Sequence, residues 1–125
     1  MTADKIIDAS ALAAAVFLES TAPKIERQLD GCKLHAPALL RFEMANVCVR
    51  KIRKYPHERD RILAQHDASL TIAIAEHEAD HAQVVAVAER FNLSGYDAAY
   101  LWLAQSLGLE LVTLDDRLRK AAAKV

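Results

Sequence analysis

The chain has 125 residues, of which 16 are basic and 17 acidic, so its formal net charge is −1. This length suits one domain with one core, and we expect residues 1–125 to form that domain. With 53% hydrophobic and 26% charged residues, the composition excludes an intrinsically disordered chain. The charge balance excludes a nucleic-acid binder that depends on overall positive charge, but it allows a local basic patch.

The chain carries no recognisable signal for export or membrane insertion. Its N-terminus lacks a basic stretch followed by an apolar segment, and no apolar run approaches the length of a membrane span. We therefore expect a cytoplasmic protein with no membrane attachment, in which Cys32 and Cys48 are both reduced. The apolar surroundings of Cys48 predict a core position.

Four short apolar segments are predicted to be strands, and the segments between them have helical composition. Ser10 is expected to cap the first helix, and Gly108 is expected to end the sixth. The predicted strands are residues 5–8, 33–36, 69–73 and 109–113. The predicted helices are residues 11–18, 23–29, 38–54, 57–67, 76–91 and 94–107, then a last one from Asp115 or Asp116 to about Lys124. This order predicts an α/β fold whose parallel sheet is covered by helices on both faces.

Four acidic residues stand out by their positions. Asp8 ends the first predicted strand, Asp115 follows the last one, and Asp97 lies in the first turn of a helix. Binding sites in open parallel sheets form beyond the carboxyl ends of the strands. Glu43 lies in an apolar helix, where a carboxylate is costly unless it is paired or bound to a metal.

Each of these acids also has a purely structural interpretation. Asp97 completes a capping box with Ser94, Asp115 suits an N-cap, and Asp8 suits a turn after a strand. Considered individually, Asp97 and Asp115 fit the structural interpretation better, and Glu43 fits a functional one better. For Asp8 the two interpretations are equally well supported.

Four carboxylates in one pocket would repel one another, and a divalent cation would relieve that repulsion. Oxygen ligands suit Mg²⁺ or Mn²⁺. Such a site can promote hydrolysis of a phosphodiester without a serine, cysteine or histidine nucleophile.

Four segments that contain these acids resemble, in order, the motifs of PIN-domain ribonucleases, and most closely the VapC-type toxins of toxin–antitoxin pairs. The segments are Ile6-Ile7-Asp8-Ala9-Ser10-Ala11-Leu12, Leu40-Arg41-Phe42-Glu43-Met44-Ala45-Asn46-Val47, Leu93-Ser94-Gly95-Tyr96-Asp97-Ala98-Ala99-Tyr100-Leu101 and Leu111-Val112-Thr113-Leu114-Asp115-Asp116-Arg117-Leu118. They span nearly the whole chain. The resemblance implies a three-layer α/β/α sandwich with a short parallel sheet and Mg²⁺- or Mn²⁺-dependent cleavage of RNA.

The resemblance also assigns roles to individual residues. Asp8 and Asp97 would be the most direct metal ligands, with Glu43 and Asp115 acting through waters or at a second metal. Ser10, Asn46 and Thr113 match polar positions that support the site, and Asp116 could share or replace the role of Asp115. Implied partners are an RNA substrate, a cognate antitoxin protein and a second copy of the chain in a homodimer.

Two alternatives to this nuclease have to be considered. The first is a catalytically silent PIN fold that binds RNA or an antitoxin. The second is a zinc metalloprotease, because His77-Glu78-Ala79-Asp80-His81 spells HExxH, which on a helix places both histidines on one face. No histidine follows His81 to act as a third ligand, and the acidic segment also fits a solvated helix face.

Two groups of cations are candidates for contacts with RNA phosphates. Arg50 and Arg53 lie in a basic cluster at the end of the third helix, where cations are also favoured by the helix dipole. Arg117, Arg119 and Lys120 follow the last acid and are therefore expected nearer the site. Tyr100 lies three residues after Asp97, so it shares that side of its helix.

Overall fold

The structure is a computed structural model that describes residues 3–124. Its four strands are β1 (Asp4–Ile7), β2 (Lys33–Pro37), β3 (Ile74–His77) and β4 (Glu110–Val112). Its helices are α1 (Ala9–Val16), α2 (Ala22–Leu29), α3 (Leu40–Lys54), α4 (Arg59–Ser69), α5 (His81–Phe91), α6 (Gly95–Leu107) and α7 (Asp116–Ala123), with a short 3₁₀ turn at Pro56–Glu58. The predicted order of strands and helices is confirmed.

The strands form one parallel sheet in the order β3-β2-β1-β4. The chain therefore passes from β1 to β2 and on to β3 at one edge of the sheet, and it then places β4 on the other side of β1. Because crossover connections are right-handed, this reversal places α1–α4 and the α5–α6 pair on opposite faces of the sheet. The helices of the first group pack on one another, and α6 packs on β1, β2 and β4. The predicted α/β/α sandwich is thus confirmed.

The reversal of strand order positions the candidate site. The β1 and β4 strands are neighbours in the sheet, with Ile7 opposite Val112. Asp8 and Thr113, which directly follow these two residues, therefore leave the sheet side by side at its carboxyl edge. An open α/β sheet forms its binding crevice at this kind of switch point.

The predicted strand at residues 69–73 is wrong, and the third strand is Ile74–His77. Ser69 is the buried last residue of α4, and turns follow it. Arg41 fixes these turns, because its guanidinium donates to the carbonyls of Ser69 at 3.1 Å and Ile72 at 2.9 Å. A long-range contact therefore outweighs the local β-branched composition.

Most helix starts lie within two residues of the predicted positions, but the predicted cap of α1 and the predicted start of α5 are wrong. The α1 helix is capped by Asp8, whose side chain accepts from the Ala11 amide, so Ser10 lies inside the first turn instead of capping it. The α5 helix begins at His81 and not at residue 76, because the segment before it belongs to β3 and Asp80 supplies the cap. By contrast, Ser94 caps α6 and Gly108 ends it in the left-handed conformation, as predicted.

The core fills the space between the sheet and both helical layers. It includes Ile6 and Ile7 of β1, and Cys48 is buried within it, as predicted. Both cysteines are free thiols. Within residues 3–124, none of the helices combines the length and the apolar character that crossing a bilayer requires.

Candidate active site

Asp8 is the centre of a hydrogen-bond network at the carboxyl edge of the sheet. Its side chain is almost fully buried, with 4% of the residue exposed. Oδ1 accepts from the Ala11 amide at 3.0 Å and from the Ser10 hydroxyl at 2.7 Å, and Oδ2 accepts from the Thr113 hydroxyl at 2.5 Å. The carboxylate is therefore held in one orientation by donors from two segments of the chain.

The two hydroxyl groups also tie Asp8 to the segment that begins α7. The Ser10 hydroxyl accepts from the Leu114 amide at 3.0 Å, and the Thr113 hydroxyl accepts from the Asp115 amide at 3.0 Å. Each hydroxyl thus donates to Asp8 and accepts from the backbone beside Asp115. Ser10 and Thr113, to which the resemblance assigns supporting roles, thus both contact Asp8.

Glu43 lies in the first turn of α3 and is fixed by Tyr100 of α6. The Tyr100 hydroxyl donates to Oε1 of Glu43 at 2.5 Å. Tyr100 is fully buried, and its position near Asp97 on α6 was the only sequence signal for this contact. Burial, with the adjacent Glu43 carboxylate, raises the pKa of Tyr100 far above its ordinary range, so the phenol stays protonated and donates.

Asp97 and Asp115 both occupy helix starts. Asp97 is in the first turn of α6, where its amide donates to the Ser94 hydroxyl at 3.1 Å. Asp115 is the N-cap of α7, and its Oδ1 accepts from the Leu118 amide at 2.9 Å. The predicted N-cap at Asp115 and the Ser94 contact of the predicted capping box are therefore present, and both acids lie within electrostatic reach of Asp8.

The pKa values show that the acids share one electrostatic environment. Burial raises the pKa of Asp8, and the charge of Asp115 raises it further against three opposing hydrogen bonds. Burial also raises the pKa of Glu43, and Asp97 and Asp8 add to this effect. The pKa of Asp97 is raised by burial, then by Asp115 and Asp8. Four acids far apart in sequence thus meet closely enough to repel one another.

Asp116 is not part of this cluster. Its side chain is 80% exposed and pairs with Arg119 at 2.9 Å, and the like-charge effects on Asp8 and Asp97 come from Asp115 instead. The structure therefore brings Asp115 into the cluster and leaves Asp116 outside it.

The donor set of the cluster suits a hard divalent cation. All four side chains offer carboxylate oxygens, and Oδ2 of Asp8 accepts only one hydrogen bond, which leaves it further acceptor capacity. Among residues 3–124, no three acidic, histidine or cysteine side chains converge closely enough to coordinate one ion directly. Mg²⁺ usually keeps several of its waters when it is bound to a protein. Carboxylates that are too far apart to ligate one ion directly can therefore still hold a hydrated ion through those waters.

A groove of about 510 Å³ runs past the cluster on the α3 side. Its lining includes Ser10, Glu43, Asn46 and Arg50. Asn46 and Arg50 are thus placed to meet a ligand that reaches Glu43, whereas Arg53 lies exposed near the end of α3 and does not line this groove.

The HExxH segment does not form a helix. His77 ends β3 and His81 begins α5, so the two imidazoles do not share a helix face. Nε2 of His77 lies 2.9 Å from Nδ1 of His35, and Nε2 of His35 lies 3.0 Å from Oδ2 of Asp4. His77 thus belongs to a hydrogen-bonded row across the sheet, and the zincin interpretation is wrong.

Comparison with known proteins agrees with this architecture. The sequence matches the family described as PIN domain over residues 5–124. It is 31% identical to Ribonuclease VapC3 from Pyrobaculum aerophilum, and the alignment covers 90% of each chain. The crystal structure of PAE2754 from Pyrobaculum aerophilum superposes with a TM-score of 0.75 at 26% identity, which covers 97% of this chain and 87% of that one. The chain therefore belongs to the PIN-domain family, among its VapC-type members.

Proposed function

We propose that the chain, as one domain over residues 1–125, is a metal-dependent endoribonuclease and the toxin of a toxin–antitoxin pair. The observation that carries the proposal is the meeting of Asp8, Glu43, Asp97 and Asp115 at the carboxyl edge of the sheet, where burial and the neighbouring acids raise the pKa of Asp8, Glu43 and Asp97. The name of the relative, Ribonuclease VapC3, supports RNA as the substrate.

The proposed cofactor is Mg²⁺ or Mn²⁺ held by the four acids. When bound, such an ion supplies positive charge that offsets the carboxylates and polarises the phosphodiester. The chain contributes the orientation of the ligands. Ser10 and Thr113 fix Asp8, Tyr100 fixes Glu43, and two helix starts fix Asp97 and Asp115.

The groove beside Glu43 supports cleavage within an RNA chain. Asn46 offers an amide and Arg50 a cation along it, and both side chains are exposed. A bound strand would therefore pass the acids with its phosphates near Arg50. At the acids, water would attack the phosphorus of one phosphodiester, the P–O bond to one ribose oxygen would break, and that oxygen would take up a proton and leave as a hydroxyl group.

RNA cleavage with Mg²⁺ or Mn²⁺ tests the proposal. Asp8→Asn and Asp97→Asn are expected to lower the cleavage rate at least about a hundredfold, because each removes a charge that the ion requires. Asp116→Asn is the matched control, since it removes an aspartate next in sequence to Asp115 but outside the cluster. It should cleave like the wild type.

Two other results would contradict the proposal. Asparagine variants that cleave as fast as the wild type would show that the acids are not the catalytic group. Wild-type protein that binds RNA but cleaves none with either ion would instead support the catalytically silent binding protein.

The proposed partners follow from the VapC-type family membership. A short reading frame immediately upstream, with a DNA-binding N-terminal segment, is expected to encode the antitoxin. A homodimer is supported by two large apolar side chains on α3, Phe42 and Val49, which are exposed and seven residues apart, hence on one side of the helix. Light scattering of the purified chain tests the dimer.

A further inference from the structure

A second cavity, of about 630 Å³, is lined by the end of α5 and by α7, and it shares no lining residue with the α3 groove. Its lining combines four cations with one aromatic ring and one amide, namely Arg90, Phe91, Asn92, Arg117, Lys120 and Lys124, beside Ala121. The part of the chain that the structure describes contributes no aspartate or glutamate to this lining. We call it the basic cavity.

The α7 helix presents its cations to the basic cavity from one side. Arg117, Lys120 and Lys124 are spaced by three and four residues, so they share one face of the helix. Arg119 lies off this face, where it pairs with Asp116 and donates to the Thr113 carbonyl at 3.3 Å. Of the cations predicted after the last acid, Arg117 and Lys120 are thus available to a ligand, and Arg119 is engaged elsewhere.

The charge of the basic cavity is not neutralised within residues 3–124. None of its four cations forms an ion pair there, although six other pairs do form. Four adjacent cations repel one another, and this is notable in a chain whose net charge is −1. A polyanion placed in the cavity would relieve that repulsion.

The basic cavity adjoins the acid cluster. Burial and the neighbouring acids raise the pKa of Asp97, and the positive charge of Arg117 opposes them, so the guanidinium lies within electrostatic reach of that carboxylate. From Arg117 to Lys124 the helix rises about 10 Å, at 1.5 Å per residue. The cations therefore lead away from the acids along a line.

One side of the basic cavity suits a nucleobase. The Phe91 ring is half-buried, and the Arg90 guanidinium lies 5.0 Å from its centroid. Aromatic rings and guanidinium planes stack on unpaired bases. Asn92, which follows in the left-handed conformation at φ 52°, places an exposed amide beside the ring.

We propose that the basic cavity binds single-stranded RNA next to the cleaved bond, with phosphates on Arg117, Lys120 and Lys124 and a base on Phe91. The inference rests on the proposed ribonuclease function, because it assigns a second contact region to the same substrate. A single strand fits better than a duplex, since the base must be unpaired to reach the ring. The aromatic ring also favours RNA over an acidic peptide.

The test compares two double variants that each remove two exposed cations. Lys120→Gln with Lys124→Gln removes two of the four cations of the basic cavity, and Arg27→Gln with Lys33→Gln is the matched control, because neither Arg27 nor Lys33 lines that cavity. Fluorescence anisotropy with a mixed-sequence single-stranded RNA in EDTA measures binding without cleavage. We expect the cavity variant to bind on the order of tenfold more weakly, with a salt slope smaller by about 1.4, and the control to bind like the wild type.

Phe91→Leu separates stacking from charge. It keeps an apolar side chain against the core but removes the aromatic face, so RNA binding should weaken by about tenfold with an unchanged salt slope. Wild-type affinity in both the cavity variant and Phe91→Leu overturns the proposal. The proposal is also overturned if polyglutamate binds as tightly as RNA and if its binding is weakened equally by loss of the two lysines. The cavity would then be a binding site for an acidic protein.

The two proposals can fail separately. Wild-type protein that cleaves RNA, together with a cavity variant and a Phe91→Leu variant that both bind and cleave equally well, refutes the basic cavity and leaves the nuclease intact. Wild-type protein that cleaves nothing, together with RNA binding that depends on Lys120 and Lys124, refutes the nuclease and leaves the cavity assignment intact.

Discussion

At the scale of single residues, the site depends on the four acids and equally on the side chains that hold those acids in position. The side chain of Asp8 is almost fully buried, and it accepts hydrogen bonds from the hydroxyls of Ser10 and Thr113 and from the Ala11 amide. Burial raises its pKa, whereas these donors favour the charged form and lower it. The donors thus keep a buried carboxylate both ionisable and fixed in orientation.

Tyr100 has the corresponding role for Glu43, and its removal should change the pH dependence of cleavage. The hydrogen bond from Tyr100 lowers the pKa of Glu43, so in Tyr100→Phe that pKa rises further above its ordinary value. More Glu43 is then protonated at a given pH, and the acid limb of the cleavage profile moves to higher pH. On that limb the rate should fall by about threefold to tenfold.

The control for this prediction is Tyr96→Phe, which removes an exposed hydroxyl from the same helix. Its pH profile should coincide with that of the wild type. A Tyr100→Phe profile that does not move would show that the contact with Glu43 has no part in the reaction.

At the scale of elements, all four acids lie at helix starts. Asp8 and Asp115 are N-caps of α1 and α7, and Glu43 and Asp97 lie in the first turns of α3 and α6. Helix N-termini carry partial positive charge and unpaired amides, which stabilise carboxylates. Capping and metal binding are therefore compatible, because the cap contacts of Asp8 and Asp115 fix two of the side chains that the ion would need.

The third strand gives a prediction that separates the PIN site from the HExxH motif. His77 contacts His35 within the sheet and lies outside the acid cluster, so His77→Ala should leave the RNA cleavage rate within about twofold of the wild type. Some thermal stability is lost with the hydrogen bond. A cleavage assay beside Asp8→Asn makes the comparison, and loss of activity in His77→Ala with retention in Asp8→Asn would reverse our assignment.

At the scale of the whole molecule, the raised pKa values make the acid cluster a source of instability. Asp8, Glu43 and Asp97 bind protons more tightly in the folded chain than in the unfolded one. The free energy of unfolding therefore falls as pH rises from their ordinary pKa values through the raised ones. Above that window the fold bears the full cost of burying these charged carboxylates and of their mutual repulsion, and below it the acids are protonated and both costs are absent.

Divalent ions should reverse this effect. Mg²⁺ or Mn²⁺ at a hundred times its dissociation constant should stabilise the fold by about 2.7 kcal/mol, and EDTA should remove that gain. Thermal unfolding with and without the ion should show a larger shift at neutral pH than at acidic pH, where the carboxyls are protonated.

Asp97→Asn provides the control variant for the metal effect. Without metal it should unfold about 2–5 °C above the wild type, because it removes one of the repelling charges, and it should respond less to Mg²⁺. An Asp97→Asn protein that is less stable in EDTA, or as responsive to Mg²⁺ as the wild type, would contradict the electrostatic account.

Local sequence was sufficient for most helix ends and for the order of strands and helices along the chain, because caps and apolar runs act over a few residues. Ser94, Gly108 and Asp115 mark helix ends as their residue types predict. It failed at residues 69–73, where Arg41, 28 positions before Ser69, imposes turns on a β-branched segment. The predicted helix across HExxH failed for a related reason, since pairing with β2 draws residues 74–77 into the sheet.

The four acids show most clearly which features the sequence determined and which only the tertiary structure decided. By itself, the sequence singled out Glu43 through the cost of a carboxylate in an apolar helix, and the motifs that resemble PIN domains made Asp8, Asp97 and Asp115 a set. Only the tertiary structure chose Asp115 over Asp116 and joined Tyr100 to Glu43, because the nearness of Asp115 to Asp8 and the contact of α6 with α3 both join residues far apart in the chain. The basic cavity likewise required the fold, since Arg90 and Lys124 lie far apart in the chain and share a surface only where α5 and α7 come together.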